Sequence, residues 1–223
     1  MEKIIIEVGG NQGTDTIRYA EHCDKLFVFE PVPLLAERLR DKFKDNTKVQ
    51  IIQSAVSDKT ENNVKFGISG PDYTHGAGCS SLNEFNPNIR NEWFFSNGSG
   101  ERSYRDDFAH MEYIEVTTVT LKDFIHAHNI KEVEYLHIDA QGSDLKVLQS
   151  LEGMAERVKA GRCEAANRVN LYKDVDNNVY TIMNWLNNNG FKVVALNNHH
   201  GELITIDDLP NSTEEVDIHF QRI

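Results

Sequence analysis

The sequence predicts a doubly wound α/β fold with a mostly parallel, Rossmann-like sheet. An apolar, β-branched run at residues 4–8 ends in three glycines within five residues, Gly9, Gly10 and Gly13, and a helix-compatible stretch follows at residues 14–21. Two further strand patterns follow along the chain, with a helical pattern between them, which implies parallel strands with right-handed crossovers. Near the end of the chain, two strands separated by a turn predict an antiparallel hairpin in the same sheet.

The glycine turn after the first strand predicts a small-molecule site. Glycines let the backbone approach a ligand closely, and the first turn of a helix offers unpaired N–H groups to an anionic group. A dinucleotide fingerprint needs a glycine where Asn11 stands, and a phosphate-binding loop needs a lysine after Gly13. The pattern present is Glu7-x-Gly9-x-x-x-Gly13. An NAD-dependent oxidoreductase is therefore the weaker alternative.

The next two strands predict further parts of the same site. The strand at residues 25–30 ends at a proline, which places Glu30 at its carboxyl end, where open α/β sheets bind ligands. A carboxylate there can accept hydrogen bonds from two ribose hydroxyls; the alternative is a solvated acid at a strand end. The third strand, residues 49–52, leads to Ser54 and Ala55, which we expect beside an adenine, or else in an ordinary loop.

The regular alternation then stops at about residue 67. Residues 67–112 are rich in Gly, Asn, Ser and aromatics, and a loop of this length in a compact domain is typically a lid or a binding segment. We predict a partly ordered insertion over the ligand edge of the sheet, acting as a substrate lid. Its aromatic side chains either stack on a flat sugar or ring face, or pack the insertion onto the body. With three residues before the first strand, the insertion is expected to supply most of the acceptor pocket.

The remaining elements complete the sheet. We predict a strand at residues 113–120, a helix at 121–128, and a strand at 135–138 that ends in Asp139 and leads into a helix from Leu145. Glu164 lies in a short polar strand, residues 162–165. A helix at residues 180–188 is followed by strands at 191–196, 202–206 and 215–221.

Composition narrows the class of protein. The 223 residues fit one domain, 1–223, with the insertion inside it, and the net charge of −12 disfavours nucleic acid and anionic membranes as partners. The three cysteines form no Cys-x-x-Cys pair and are expected to be reduced. Neither an export signal nor a long apolar span is present, so we expect a cytoplasmic protein without membrane contact. The oligomeric state is not predicted.

Six motifs, in order along the chain, resemble the FkbM family of S-adenosylmethionine-dependent methyltransferases. They are EVGGNQG at residues 7–13, VFEPVP at 28–33, AVSD at 55–58, SSL at 80–82, VTLKDF at 119–124 and LHIDAQGSD at 136–144. As a set they cover most of the chain up to about Leu151. Two positions depart from the family pattern: Gln141 and Asp144 stand where the family usually has glutamates.

The resemblance implies a class I methyltransferase sheet, S-adenosylmethionine as cofactor, and methyl transfer to the hydroxyl of a sugar or another small hydroxylated acceptor. The cofactor-binding residues it implies are Glu7, Gly9, Gly10, Asn11, Gly13, Thr14, Glu30, Pro31, Val32, Ser54, Ala55 and Asp139. A fold-retaining binding module without catalysis remains the alternative, because two acidic positions of the family are altered.

Catalysis requires removal of one proton from the acceptor hydroxyl. An amide cannot titrate in this range, which excludes Gln141 as a base. Asp139 is the first candidate for the base or for a group that orients the acceptor, and Glu164 and His75 are further candidates. The alternative for Asp139 is a structural carboxylate. The spacing of Asp139, Asp144 and Glu164 matches no defined metal motif, so no metal is predicted.

Overall fold

The structure is a computed structural model that describes residues 2–69, 78–86, 94–96, 101–103, 110–167, 170–212 and 215–223. The strands of the described residues, in chain order, are β1 (Ile4–Val8), β2 (Lys25–Phe29), β3 (Val49–Ile52), β4 (Ala55–Val56), β5 (Glu61–Ser69), β6 (Phe94–Ser96), β7 (Glu101–Ser103), β8 (His110–Val119), β9 (Tyr135–Ile138), β10 (Ala160–Ala166), β11 (Phe191–Asn198), β12 (Leu203–Ile204) and β13 (Glu215–Arg222). The α-helices are α1 (Thr14–Ala20), α2 (Pro33–Lys42), α3 (Leu121–Ala127), α4 (Asp144–Gln149) and α5 (Val179–Asn188).

In the described part of the chain, eight strands form the central sheet, in the order β12-β11-β13-β10-β9-β1-β2-β3. The pairs from β10 to β3 are parallel. β13 runs antiparallel between β10 and β11, and β12 pairs antiparallel with β11. The predicted doubly wound, mostly parallel sheet with an antiparallel C-terminal part is confirmed.

The apolar run at the start of the chain is buried on both faces of the sheet. Ile4, Ile6 and Val8 pack into the largest hydrophobic cluster, which α3, α4 and α5 cover. Ile5 points to the opposite face, where it joins a second cluster with Leu39 of α2. Because strands buried on both faces are mostly apolar, β1 is β-branched at four of its five positions, and the exception is the buried Glu7.

A second, three-stranded sheet lies beside the central one, in the order β4-β8-β5. β8 was predicted from its alternation, whereas β5 was missed. Val64, Phe66 and Ile68 alternate along β5 and pack into one cluster, so the period-2 signal is present in the sequence. β5 and β8 continue into the region predicted as an insertion, as far as Ser69 and His110, and β6 pairs with β7 inside it.

The helices agree with the predicted positions within one or two residues, with one local difference. The helical spacing of the apolar residues Leu34, Leu35, Leu39 and Phe43 predicts one buried stripe on α2. Leu34 is instead exposed, while Leu35 and Leu39 are buried. In α5 the same spacing predicts that Ile182, Trp185 and Leu186 face inward; Ile182 and Leu186 are fully buried, and Trp185 is partly buried. No helix among the described residues is long and apolar enough to cross a membrane.

Candidate active site

A pocket of about 600 Å³, part of it open to solvent, lies at the carboxyl ends of β1, β2 and β9. Its lining contains eight of the residues predicted for the cofactor, namely Gly9, Asn11, Glu30, Pro31, Val32, Ser54, Ala55 and Asp139. The position agrees with the rule that open α/β sheets bind ligands at the carboxyl ends of their strands.

Gly9 and Asn11 shape the turn that follows β1. Gly9 has a φ of 92°, and its N–H donates to the Phe29 carbonyl at 3.0 Å. Asn11 also lies in the left-handed region, with a φ of 43°. Its Oδ1 is buried and has no hydrogen-bond partner among the described residues. Buried acceptors are normally paired, so an unpaired oxygen in a residue that lines the pocket is unusual.

Glu30 is almost fully buried at the end of β2 and is held by backbone donors. The N–H of Asn11 donates to Oε2 at 2.7 Å, and the N–H of Val32 donates to Oε1 at 2.8 Å. Burial raises the pKa of Glu30 to about 7, although the two N–H donors act in the opposite direction. Each carboxylate oxygen retains acceptor capacity, which fits a pair of ligand hydroxyls.

The wall of the pocket next to Ser54 is mostly apolar, because Leu35, Phe66 and Leu82 pack around Ala55. Several of these lining residues were not predicted, and they come from α2, β5 and the segment before residue 86: Leu35, Phe66, Gly78, Ser80 and Leu82. The SSL motif indicated part of this segment, but nothing in the sequence placed it against the pocket. Residues 78–82, which belong to the predicted insertion, therefore form part of one side of the site.

Four residues predicted at the cofactor lie outside the pocket lining. The Glu7 side chain is buried between β1 and α1, where it accepts a hydrogen bond from Thr16 Oγ1 at 2.7 Å. Burial raises the pKa of Glu7 to about 8. Gly10 and Gly13 pack against β2 and α2: an added β-carbon would lie 2.5 Å from Val28 Cγ1 of β2 at Gly10, and 2.7 Å from Leu39 Cδ2 of α2 at Gly13. The fourth, Thr14, is the first residue of α1. These positions shape the turn, and the structure gives them no direct contact with the pocket.

The catalytic candidates Asp139 and Glu164 are linked by Gln141. Gln141 Nε2 donates to Asp139 Oδ1 at 2.6 Å and to Glu164 Oε2 at 3.1 Å. Desolvation raises the pKa of both carboxyl groups, and the charges of Glu215 and Asp139 raise that of Glu164 further. The Gln141 hydrogen bond lowers the pKa of Asp139 and so opposes this effect. Asp139 and Gln141 line the pocket, whereas Glu164 lies behind them.

Asp144 has a structural position at the start of α4. It is fully buried, its Oδ1 accepts from the Glu164 N–H at 3.0 Å, and burial raises its pKa to about 8. Glu164 also meets His199 and Glu215, with one possible ligand atom from each within 4.8 Å of the others. Such groupings are common without an ion, and no catalytic step depends on this one.

Two histidines, His137 in β9 and the catalytic candidate His75, remain to be placed. His137 faces the side of the sheet that α1 covers, as expected for a core histidine, and Arg162 Nη2 lies 2.7 Å from its Nε2. Burial lowers the pKa of His137 to about 3, so it is neutral. His75 lies outside the described residues.

Comparison with known proteins identifies the family. The family model of the methyltransferase FkbM domain matches residues 7–193. The chain belongs to the FkbM methyltransferase family. The matched region spans every residue that lines the pocket, from Val8 to Ser143. S-adenosylmethionine, the cofactor expected from the sequence, is the one that this membership supports.

Individual relatives are more distant. A probable ribosomal RNA small subunit methyltransferase A from Methanococcoides burtonii is 35% identical over 75 residues, which are 30% of this chain and 28% of that protein. An FkbM methyltransferase structure from Methylobacillus flagellatus has 10% identity and a TM-score of 0.52, and the match covers 97% of this chain and 43% of that one. A putative methyltransferase from Streptococcus mutans, solved with SAH, has 11% identity and a TM-score of 0.50, covering 100% and 91%. At these identities the structures support the fold.

Proposed function

We propose that this protein is an S-adenosylmethionine-dependent O-methyltransferase that acts on the hydroxyl of a sugar or another small hydroxylated acceptor. The observation that carries the proposal is the presence of two acids, the buried Glu30 and the half-buried Asp139, in the lining of one pocket. In the proposal, Glu30 accepts the ribose hydroxyls, Gly9 and Asn11 contact the amino acid end, and Ser54 with Ala55 contacts the adenine.

Asp139 is the proposed proton acceptor. Bound S-adenosylmethionine supplies a methyl group on a cationic sulfur; transfer forms an O–C bond, breaks the S–C bond and returns the bonding pair to sulfur. Asp139 aligns the acceptor hydroxyl and takes its proton as the new bond forms, which supplies a factor of roughly 10² to 10⁴. Burial raises the pKa of Asp139, which makes this carboxylate a stronger base. Glu164 acts through Gln141, and the insertion serves as the lid.

RNA is a second candidate acceptor because the Methanococcoides burtonii relative is named as a ribosomal RNA methyltransferase. That similarity covers 30% of this chain, and the net charge of −12 opposes contact with a phosphate backbone. We therefore favour a small, uncharged hydroxylated acceptor.

The test is transfer of a tritiated methyl group from S-adenosylmethionine to a panel of glycosides, phenols and total RNA. We expect label in a hydroxylated small molecule, and loss of transfer in Asp139→Asn with cofactor binding retained. Asp41→Asn, an exposed position on α2, is the matched control for the removed charge. Label in RNA alone would replace the proposed acceptor, and cofactor binding without any transfer would favour the non-catalytic module.

A further inference from the structure

Both the nitrogen and the oxygen of the Gln141 side-chain amide form hydrogen bonds. Its amide has two N–H hydrogens, and these lie toward two different carboxylates, Asp139 at 2.6 Å and Glu164 at 3.1 Å. Its amide oxygen lies 2.9 Å from the hydroxyl of Tyr172. Both N–H groups of the amide therefore bind the carboxyl groups of catalytic candidates.

Tyr172 and the two carboxylates determine which way the amide points. With the amide reversed, its oxygen would face both carboxylates, which is repulsive. In the orientation present, the Tyr172 hydroxyl can donate its one proton to the amide oxygen. The Cys79 carbonyl, 3.0 Å from the hydroxyl, is the alternative acceptor. Tyr172 is 2% exposed, so its ring is fixed by packing.

The backbone at Gln141 is fixed as well. Gln141 has a φ of 48°, in the left-handed region that non-glycine residues seldom adopt. Its carbonyl accepts a hydrogen bond from Ser81 Oγ at 2.7 Å. The following residue, Gly142, lies against the Tyr172 ring, where an added β-carbon would come 2.4 Å from Cδ2. A strained backbone that its surroundings hold in place is frequent at functional sites.

The charges of Asp139 and Glu164 explain why a neutral amide between them matters. Asp139 and Glu164 are half-buried, and desolvation favours the protonated form of each. The charges of Asp217 and Asp15 add to this effect at Asp139 and that of Arg162 opposes it, while the charge of Asp139 adds to it at Glu164. An amide between them donates to each without adding charge, whereas a glutamate there would add a third carboxyl group and supply at most one proton. The neutral amide thus favours the ionised carboxylate that a proton acceptor needs.

We propose that Gln141 is a positioning residue that holds the Asp139 carboxylate ionised and in a fixed direction, and that Tyr172 sets the direction of its amide. This inference rests on the proposed role of Asp139 in methyl transfer. It assigns a role to Gln141, one of the two positions at which this chain departs from the glutamates usual in the FkbM family.

The primary experiment is a ¹³C NMR titration of the side-chain carboxyl groups in the protein without acceptor. Asp139→Asn assigns the Asp139 signal. In Gln141→Glu the Asp139 signal is expected to titrate at higher pH than in the wild type, and Tyr172→Phe is expected to shift it in the same direction by less. Gln149→Glu, an exposed position on α4, adds the same charge and is expected to leave the signal unchanged. Thermal melts establish that each variant is folded.

A second measurement separates this inference from the proposed function. Where wild type transfers methyl groups, the acidic limb of its pH–rate profile is expected to move to higher pH in Gln141→Glu, with cofactor affinity unchanged. An Asp139 titration at the same pH in wild type, Gln141→Glu and Tyr172→Phe would overturn the role of Gln141, whatever the activity. Absence of methyl transfer with a shifted titration would instead contradict the proposed function.

Discussion

Gly9 lies directly against the backbone of Asp139: a β-carbon at residue 9 would come 2.1 Å from the Asp139 carbonyl oxygen. The contact joins the turn after β1 to the end of β9, which pairs with it, and the Asp139 N–H donates to the Val8 carbonyl at 2.9 Å. The wall of the pocket that carries Asp139, the proposed base, therefore requires that residue 9 has no side chain.

We predict that Gly9→Ala strongly lowers the free energy of unfolding, because the overlap is with backbone that cannot move aside. Gly153→Ala is the matched control: Gly153 also has a positive φ, 73°, but no atom of the described residues lies within 4 Å of its added β-carbon. The control is expected to lose only the cost of left-handed backbone, about 1–2 kcal/mol. Urea unfolding measures both variants, and equal losses would show that the Asp139 contact is unimportant.

Glu7→Gln is predicted to remove part of the pH dependence of stability. Burial raises the pKa of Glu7 from 4.5 to about 8, so its contribution to stability is fully present below pH 4.5 and is lost as the pH rises towards 8. The glutamine keeps an acceptor for the Thr16 hydroxyl and cannot ionise. Urea unfolding is therefore expected to give similar values for both proteins at about pH 5 and a more stable variant at about pH 9. Glu21→Gln, at an exposed position, should follow the wild type throughout.

The affinity for S-adenosylhomocysteine is predicted to depend on the ionisation of Glu30. Burial raises the pKa of Glu30 to about 7 in the free protein, and only the carboxylate can accept both ribose hydroxyls. Affinity is expected to fall about tenfold from pH 8 to pH 6, as the group becomes protonated. Calorimetry at several pH values measures this, and Glu30→Gln is expected to flatten the profile. An unchanged slope in that variant would assign the titration to another group.

The sequence predicted the parts of this fold that depend on local patterns. Continuous apolar runs indicated β1 and β2, and the acids after strands placed Glu30 and Asp139 at the ligand edge. β5 was missed because Asn62 and Asn63 weaken its strand signal, and Asn63 has a φ of 57°.

Contacts between distant parts of the chain could not be predicted in the same way. Tyr172 reaches Gln141 over 31 residues, and Phe66 reaches the pocket from the second sheet. Nor could spacing alone show that Gly10 and Gly13 face α2 while Gly9 faces Asp139, because that depends on how the turn is wound.

Binding of S-adenosylhomocysteine to wild type, Glu30→Ala and Glu37→Ala tests the central claim, that this pocket is the cofactor site. Glu37 is exposed on α2 and controls for the lost charge. Hydrogen bonds to charged groups contribute roughly 1.5–3 kcal/mol, so calorimetry is expected to show at least about tenfold weaker binding for Glu30→Ala and unchanged binding for Glu37→Ala. Equal affinities in all three folded proteins, or no binding to wild type, would contradict the claim.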